Sequence, residues 1–228
     1  MSFRPAVFVL SSLLTSALLL HGADAVTRNS PSRYRAFQLG GSIAEVGKEA
    51  GIASPEAKVI SSRPERVEEL NWRSDPSSTP DSVQKILFRF YNGALFEMAI
   101  SYDPSRTGGL TDADLTEALD VIYGPGSAPI AKEMAFNSGY STTVRAITQW
   151  DDPQSRMTLV GFPYGGGFGL VVSSTRDEPL AQRALLESKR LDQLEAPQKE
   201  LDLRAKQAAD TEAKDEKSRV VNKPEFRP

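Results

Sequence analysis

Between about Tyr34 and Thr175 the chain alternates short apolar-periodic segments with turn signals, and after Arg176 that alternation stops. Two stretches carry the chemistry of a helix start. Gly40-Gly41-Ser42-Ile43-Ala44-Glu45-Val46 and Gly108-Gly109-Leu110-Thr111-Asp112-Ala113-Asp114-Leu115 each set a Gly pair before a Ser or Thr, with an acid three residues later. In such a capping box the hydroxyl accepts from an orphan helix amide while the acid accepts from the amide of the cap itself. The first helix carries Ile43, Val46 and Ala50 and ends at Gly51. The second puts Leu115, Ala118, Leu119, Ile122 and Tyr123 on one face and stops at Gly124-Pro125, where Pro cannot continue a helix.

Strand-like runs follow each helix. Val67 to Arg73 contains Trp72 and closes at Asp75-Pro76; Thr143 to Trp150 closes at Asp152-Pro153. Each unit then ends in a hairpin. In the first, Lys85 to Tyr91 returns as Leu95 to Tyr102; in the second, Met157 to Tyr164 returns as Phe168 to Ser174 through Gly165-Gly166-Gly167. Alternation puts Ile86, Phe88 and Phe90 on one face, and Phe96, Met98 and Ile100 on one face of the returning strand. A regular two-residue Asn92-Gly93 loop would mix these faces. The expectation is therefore a three-residue loop, Tyr91 to Gly93, pairing Phe88 with Phe96 and Ile86 with Met98. Gly93 is then left-handed, and Arg89 and Glu97 are diagonal neighbours on the other face.

The predicted fold class is α+β: two tandem helix-plus-three-strand units forming an antiparallel sheet with both helices on its apolar face, over residues 34–175. Equivalent positions are offset by 69 residues at the caps, Ser42 to Thr111, and by 78 at the tryptophans. This pattern, Gly40 to Val46, Gly109 to Leu115 and the Trp72 and Trp150 strands, resembles the small outer-membrane assembly lipoproteins of the SmpA/OmlA type. In tandem it resembles the β-lactamase inhibitor protein fold. The chain departs from both groups, having no lipidation Cys and no Cys pairs, and the resemblance implies fold only.

The flanks differ in character. Residues 176–228 hold 24 charged residues, 12 of each sign, with Phe226 the sole aromatic, and read as a charged helical to disordered tail. Leu194, Leu201 and Ala208 lie seven apart, but Pro197 interrupts the seam. At the other end, Arg4, an apolar run from Ala6 to Leu20 and Ala23-Asp24-Ala25 read as a secretory signal, residues 1–25, cleaved after Ala25. Its alternative is an uncleaved anchor. Residues 26–33 form a flexible lead-in. The expected location is the periplasm or the exterior, without stable membrane insertion after cleavage.

Composition then narrows the chemistry. There is no Cys, and the one His, His21, leaves with the signal; the formal net charge of −3 is unchanged by cleavage and gives no footprint for nucleic acid. No Gly-x-Ser-x-Gly elbow occurs. Asp112 and Asp114 fit capping; Asp151 and Asp152 fit a turn, and with Asp103 they lack EF-hand spacing. The Gly-rich segment before Phe168 leads into a strand, not the helix a phosphate loop needs.

No catalytic, cofactor or metal residue is assigned. The candidate binding surface is aromatic: Trp72, Tyr91, Tyr102, Trp150, Phe162, Tyr164 and Phe168, with core packing as the other reading of the two tryptophans. The expected function is an exported, non-enzymatic binding or scaffold module that contacts a protein or envelope component through its sheet face. The alternatives are an exported hydrolase using carboxylate or Ser/Tyr groups, and a structural protein self-associating through its tail.

Overall fold

The computed structural model describes residues 29–75, 81–137, 141–163, 167–224 and 227; the segment read as a signal, residues 26–28 and Tyr164 lie outside them. A small hairpin comes first, β1 (Arg33–Tyr34) with β2 (Phe37–Gln38). Helix α1 (Ile43–Glu49) follows, then β3 (Lys58–Ser61), β4 (Val67–Arg73), β5 (Val83–Tyr91) and β6 (Ala94–Tyr102). A short turn of helix, α2 (Pro104–Thr107), leads to α3 (Asp112–Tyr123), β7 (Glu133–Asn137), β8 (Ser141–Asp151), β9 (Ser155–Gly161) and β10 (Phe168–Ser174). The chain closes with a 46-residue helix, α4 (Asp177–Asn222). The class is α+β: one eight-stranded antiparallel sheet, ordered β3-β4-β5-β6-β10-β9-β8-β7, with helices packed against it.

Both predicted capping boxes are present. The Ser42 hydroxyl accepts from the Glu45 amide, and the Glu45 carboxylate accepts from the Ser42 amide at 2.7 Å; Thr111 and Asp114 do the same for α3. On the front face of the sheet, α1 and α3 join one core with Phe88, Met98, Ile100, Met157, Leu159 and Leu170. The face of α3 differs from expectation. Leu119 is buried and Leu115 and Tyr123 are half-buried, but Ala118 and Ile122 are exposed. Polar groups replace them: Thr116 hydrogen-bonds Thr148 at 2.9 Å, and Asp120 accepts from the Trp150 indole at 3.0 Å.

The sheet has two more strands than the pattern predicts. β3 and β7 are its edges, four and five residues long and too short to show a two-residue period. The β5–β6 turn is also corrected. Tyr91 pairs with Ala94, leaving the two-residue loop Asn92-Gly93 with φ of 49° and 82°, the doubly positive turn that suits hairpin twist. A register shift opposite the Arg89–Phe90 step leaves Phe96 as an extra residue, so Arg89 faces Glu97, Phe88 faces Met98 and Ile86 faces Ile100. A bulge, not an odd loop, keeps the apolar faces together.

A β-carbon placed at Gly93 meets nothing within 4 Å, so backbone strain alone opposes a side chain there. Gly93→Ala is expected to lower the unfolding free energy by about 1–2 kcal/mol, read from urea unfolding; an unchanged midpoint would contradict this turn.

Candidate functional site

The rear face of the sheet, opposite α1 and α3, carries a row of charged register partners. Lys58 pairs with Glu69, Glu69 with Arg89 and Arg89 with Glu97; Glu97 pairs with Ser173, Ser173 with Arg156 and Arg156 with Asp151. Charges of opposite sign thus alternate across seven strands, broken only by Ser173. In the middle, Arg89 Nη1 donates to both Glu97 oxygens, at 3.2 and 3.3 Å. Its Nε lies 3.4 Å from Glu69 Oε1 but makes no hydrogen bond. The guanidinium also stands 5.4 Å from the Phe96 ring centroid, so the bulge residue supplies a cation–π surface. At the far end of the row, Arg156 Nε donates to Asp151 at 2.9 Å.

Helix α4 crosses this face. Ala181 is buried against Val67 and Phe96, with Tyr91 and Leu185 beside them. Between α4 and the β7–β8 hairpin a groove of about 670 Å³ stays open. Glu69, Arg89, Glu97 and Val171 line it from the sheet, Met134 and Asn137 from β7, and Glu178, Gln182, Leu186 and Lys189 from the helix. Glu97 is the buried acid of the groove. Burial holds its pKa above the usual carboxylate range; Arg89 opposes that shift, and the charges of Glu178 and Glu69 add to it.

The candidate aromatics do not form one surface. Trp72, Tyr102 and Trp150 all belong to the front core. The Trp150 indole donates to the Gly124 carbonyl at 2.8 Å as well as to Asp120. Burial raises the Tyr102 pKa well above its ordinary value, and the neighbouring Tyr34 adds to the shift. Tyr91 lies on the rear face beside α4, and Phe162 lies there edge-on to Phe136 with centroids 4.8 Å apart. Phe168 lines a separate hollow of about 370 Å³ with Phe162, Leu110 and the ion-paired Arg145 and Asp112. Tyr164 lies outside the described residues.

The carboxylates weighed for metal binding are engaged locally. Asp103 caps α2, Asp151 pairs with Arg156 and accepts from Gln149, and Asp152 accepts from the amides of Gln154 and Ser155. The described residues hold no cluster of three or more His, Cys, Asp and Glu placed for a metal ion, and no described helix is long and apolar enough to cross a membrane.

No protein-family model, curated protein or solved structure matches the chain. The groove is therefore read from its own chemistry. The sequence marked Arg89 and Glu97 as neighbours but not as the floor of a groove. It gave no sign of Glu178, whose segment read as tail. A signal was present: a charge inside each apolar run, Phe88-Arg89-Phe90 and Phe96-Glu97-Met98, is unusual unless the two charges meet.

Because Glu97 is raised, the folded protein holds that proton to higher pH than the unfolded chain does. Its contribution is fully present below the ordinary Glu value near 4.5 and is lost as pH rises through the folded value. Glu97→Gln removes this titration. Urea unfolding from about pH 5 to about pH 7 is expected to give a flatter stability profile for the variant; parallel profiles would show that Glu97 titrates normally.

Proposed function

We propose that the protein is an exported, non-enzymatic binding module of two tandem units that contacts a protein or a cell-envelope component through the rear face of its sheet. The open groove beside α4 carries this reading. It joins apolar walls, Met134, Val171 and Leu185, to a floor of paired charge, the mixture of contact area and fixed polar groups that recognition sites use. The mirrored strand order about the β6–β10 pair supports the tandem units, each a capped helix followed by four strands, one more than the sequence predicts. The same arrangement fits the resemblance to SmpA/OmlA-type and β-lactamase inhibitor protein-like folds. Export rests on the pattern of residues 1–25.

A second reading, hydrolysis by carboxylates, draws on Glu97, a buried acid with a raised pKa under the influence of Glu178. The ion pair favours binding over this chemistry, since Arg89 occupies both oxygens of Glu97.

Immobilised protein tests the two readings. Relative to wild type, Met134→Lys/Gln182→Glu/Lys189→Glu is expected to lower capture of its partner from the exported fraction about tenfold. Val121→Lys, at the 78 % exposed Val121 of α3, is expected to leave capture unchanged. Equal capture by all three proteins would sink the rear-face reading. Turnover by the purified protein that disappears in Glu97→Gln would replace it with the second.

A further inference from the structure

We infer that α4 is a releasable strap, latched to the rear face through Arg63, and that its release withdraws the helix wall of the groove on which the proposed binding reading rests and bares the apolar sheet patch beside it. The seam by which α4 touches the sheet runs through Asp177, Ala181, Ala184, Ser188, Leu191 and Glu195, in steps of three and four residues. Its residues are small or polar apart from Leu191, half-buried Leu180 and Leu185 flank it, and only Ala181 and Ala184 are fully buried. The helix therefore rests on a narrow ridge. The groove of about 670 Å³ opens on one flank, and a second hollow of about 240 Å³, lined by Pro64, Tyr91, Leu180 and Glu187, lies between the helix and the β3–β4 connection. So little apolar contact gives a helix weak hold on a sheet.

Two polar fixings mark the ends of the seam. At the root, the Ser174 hydroxyl donates to the Asp177 carboxylate at 2.9 Å and accepts from the Asp177 amide at 3.1 Å. Eighteen residues on, about 27 Å along the helix, Arg63 from the β3–β4 connection donates to both Glu195 oxygens at 2.6 and 2.7 Å and to Asp192 at 2.9 Å. Lys199 closes the cluster, 3.1 Å from Glu195 and 3.5 Å from Asp192. Past this latch every described residue of α4 is exposed. The far half of the helix is a lever with no seat of its own.

The latch is built to answer to charge. Arg63 and Lys199 draw the Glu195 pKa down to about 2, so the cluster stays ionised through the neutral range and pH does not open it. Its groups are solvent-exposed, so salt and competing charges reach them. Release of the strap bares Val67, Tyr91 and Phe96 as an apolar patch beside the Arg89–Glu97 pair. The root, held by Ser174 and Asp177, is the pivot.

Hydrogen exchange on the full chain reads this directly and needs no partner. Arg63→Glu, and separately the unchanged protein in about 1 M NaCl, are expected to speed amide exchange across residues 180–195 about three- to tenfold. Amides of β5, β6 and β10 should keep their rates, and emission from added anilinonaphthalene sulfonate should rise. Arg63→Glu/Glu195→Arg is expected to restore wild-type exchange. Unchanged rates at 180–195 in both the variant and high salt would overturn the strap, as would sheet amides speeding up in step with the helix. The salt arm stands if the variant does not fold. Failure of partner capture would leave the exchange result intact, so the two readings fail separately.

Discussion

The two central strands are buried on both faces, and the rest of the architecture answers that constraint. No residue from Leu95 to Ile100 in β6, or from Gly169 to Ser174 in β10, is exposed. A sheet with one wet face shows alternation along its strands; a sheet covered on both sides does not. The front is closed by α1 and α3 on capping boxes. The rear needs a cover too, and the chain supplies it with the start of α4. That cover must seat beside ionised groups, and its fully buried contacts are the small residues Ala181 and Ala184. A wider apolar stripe would bury the Glu69–Arg89–Glu97 row more deeply and raise the cost of its desolvation.

The charged row and the bulge at Phe96 lock each other. Without the extra residue, Arg89 would face Phe96 and Glu97 would face Phe88, leaving the Glu97 charge against an aromatic ring without its partner. A buried charge left alone costs far more than a paired one returns, so the ion pair acts as a register pin more than as net stabilisation. The same pin places a carboxylate with a raised pKa on the groove floor. Fold specificity and the chemistry of the candidate site are carried here by the same side chains.

Helix α4 shows how a docked segment stabilises an undocked one. Forming the first helical turn is unfavourable, while each added residue is close to neutral for good helix formers. The seam from Asp177 to Glu195 supplies the nucleus through tertiary contact. Beyond it, alanines and the pairs Glu200–Arg204 and Glu216–Arg219 extend the helix without a core. Its 46 residues reach about 69 Å, so movement at the seated part is amplified at the far end.

The sequence by itself determined the local elements: the caps at Ser42 and Thr111, the stop at Gly124, strand β4, and the near-complete spans of β5, β6 and β10. These follow from side chains acting on their own backbone or on a two-residue period. It also put Arg89 and Glu97 on one face. Tertiary structure decided what depends on partners remote in sequence. The edge strands β3 and β7 exist through hydrogen bonds to β4 and β8, and their own composition does not announce them. The two-residue turn became permissible only because a bulge three residues later repaired the faces. Trp72 and Trp150 went to the front core with Tyr102, while Tyr91 and Phe162 went to the rear, because side-chain parity in each strand assigns a face only once the sheet has chosen its register. The groove lay beyond reach for the same reason. Its walls come from β4, β5, β6, β7, β8, β10 and α4, segments as far apart as Glu69 and Lys189, and no local pattern encodes a space between elements that meet only in the folded chain.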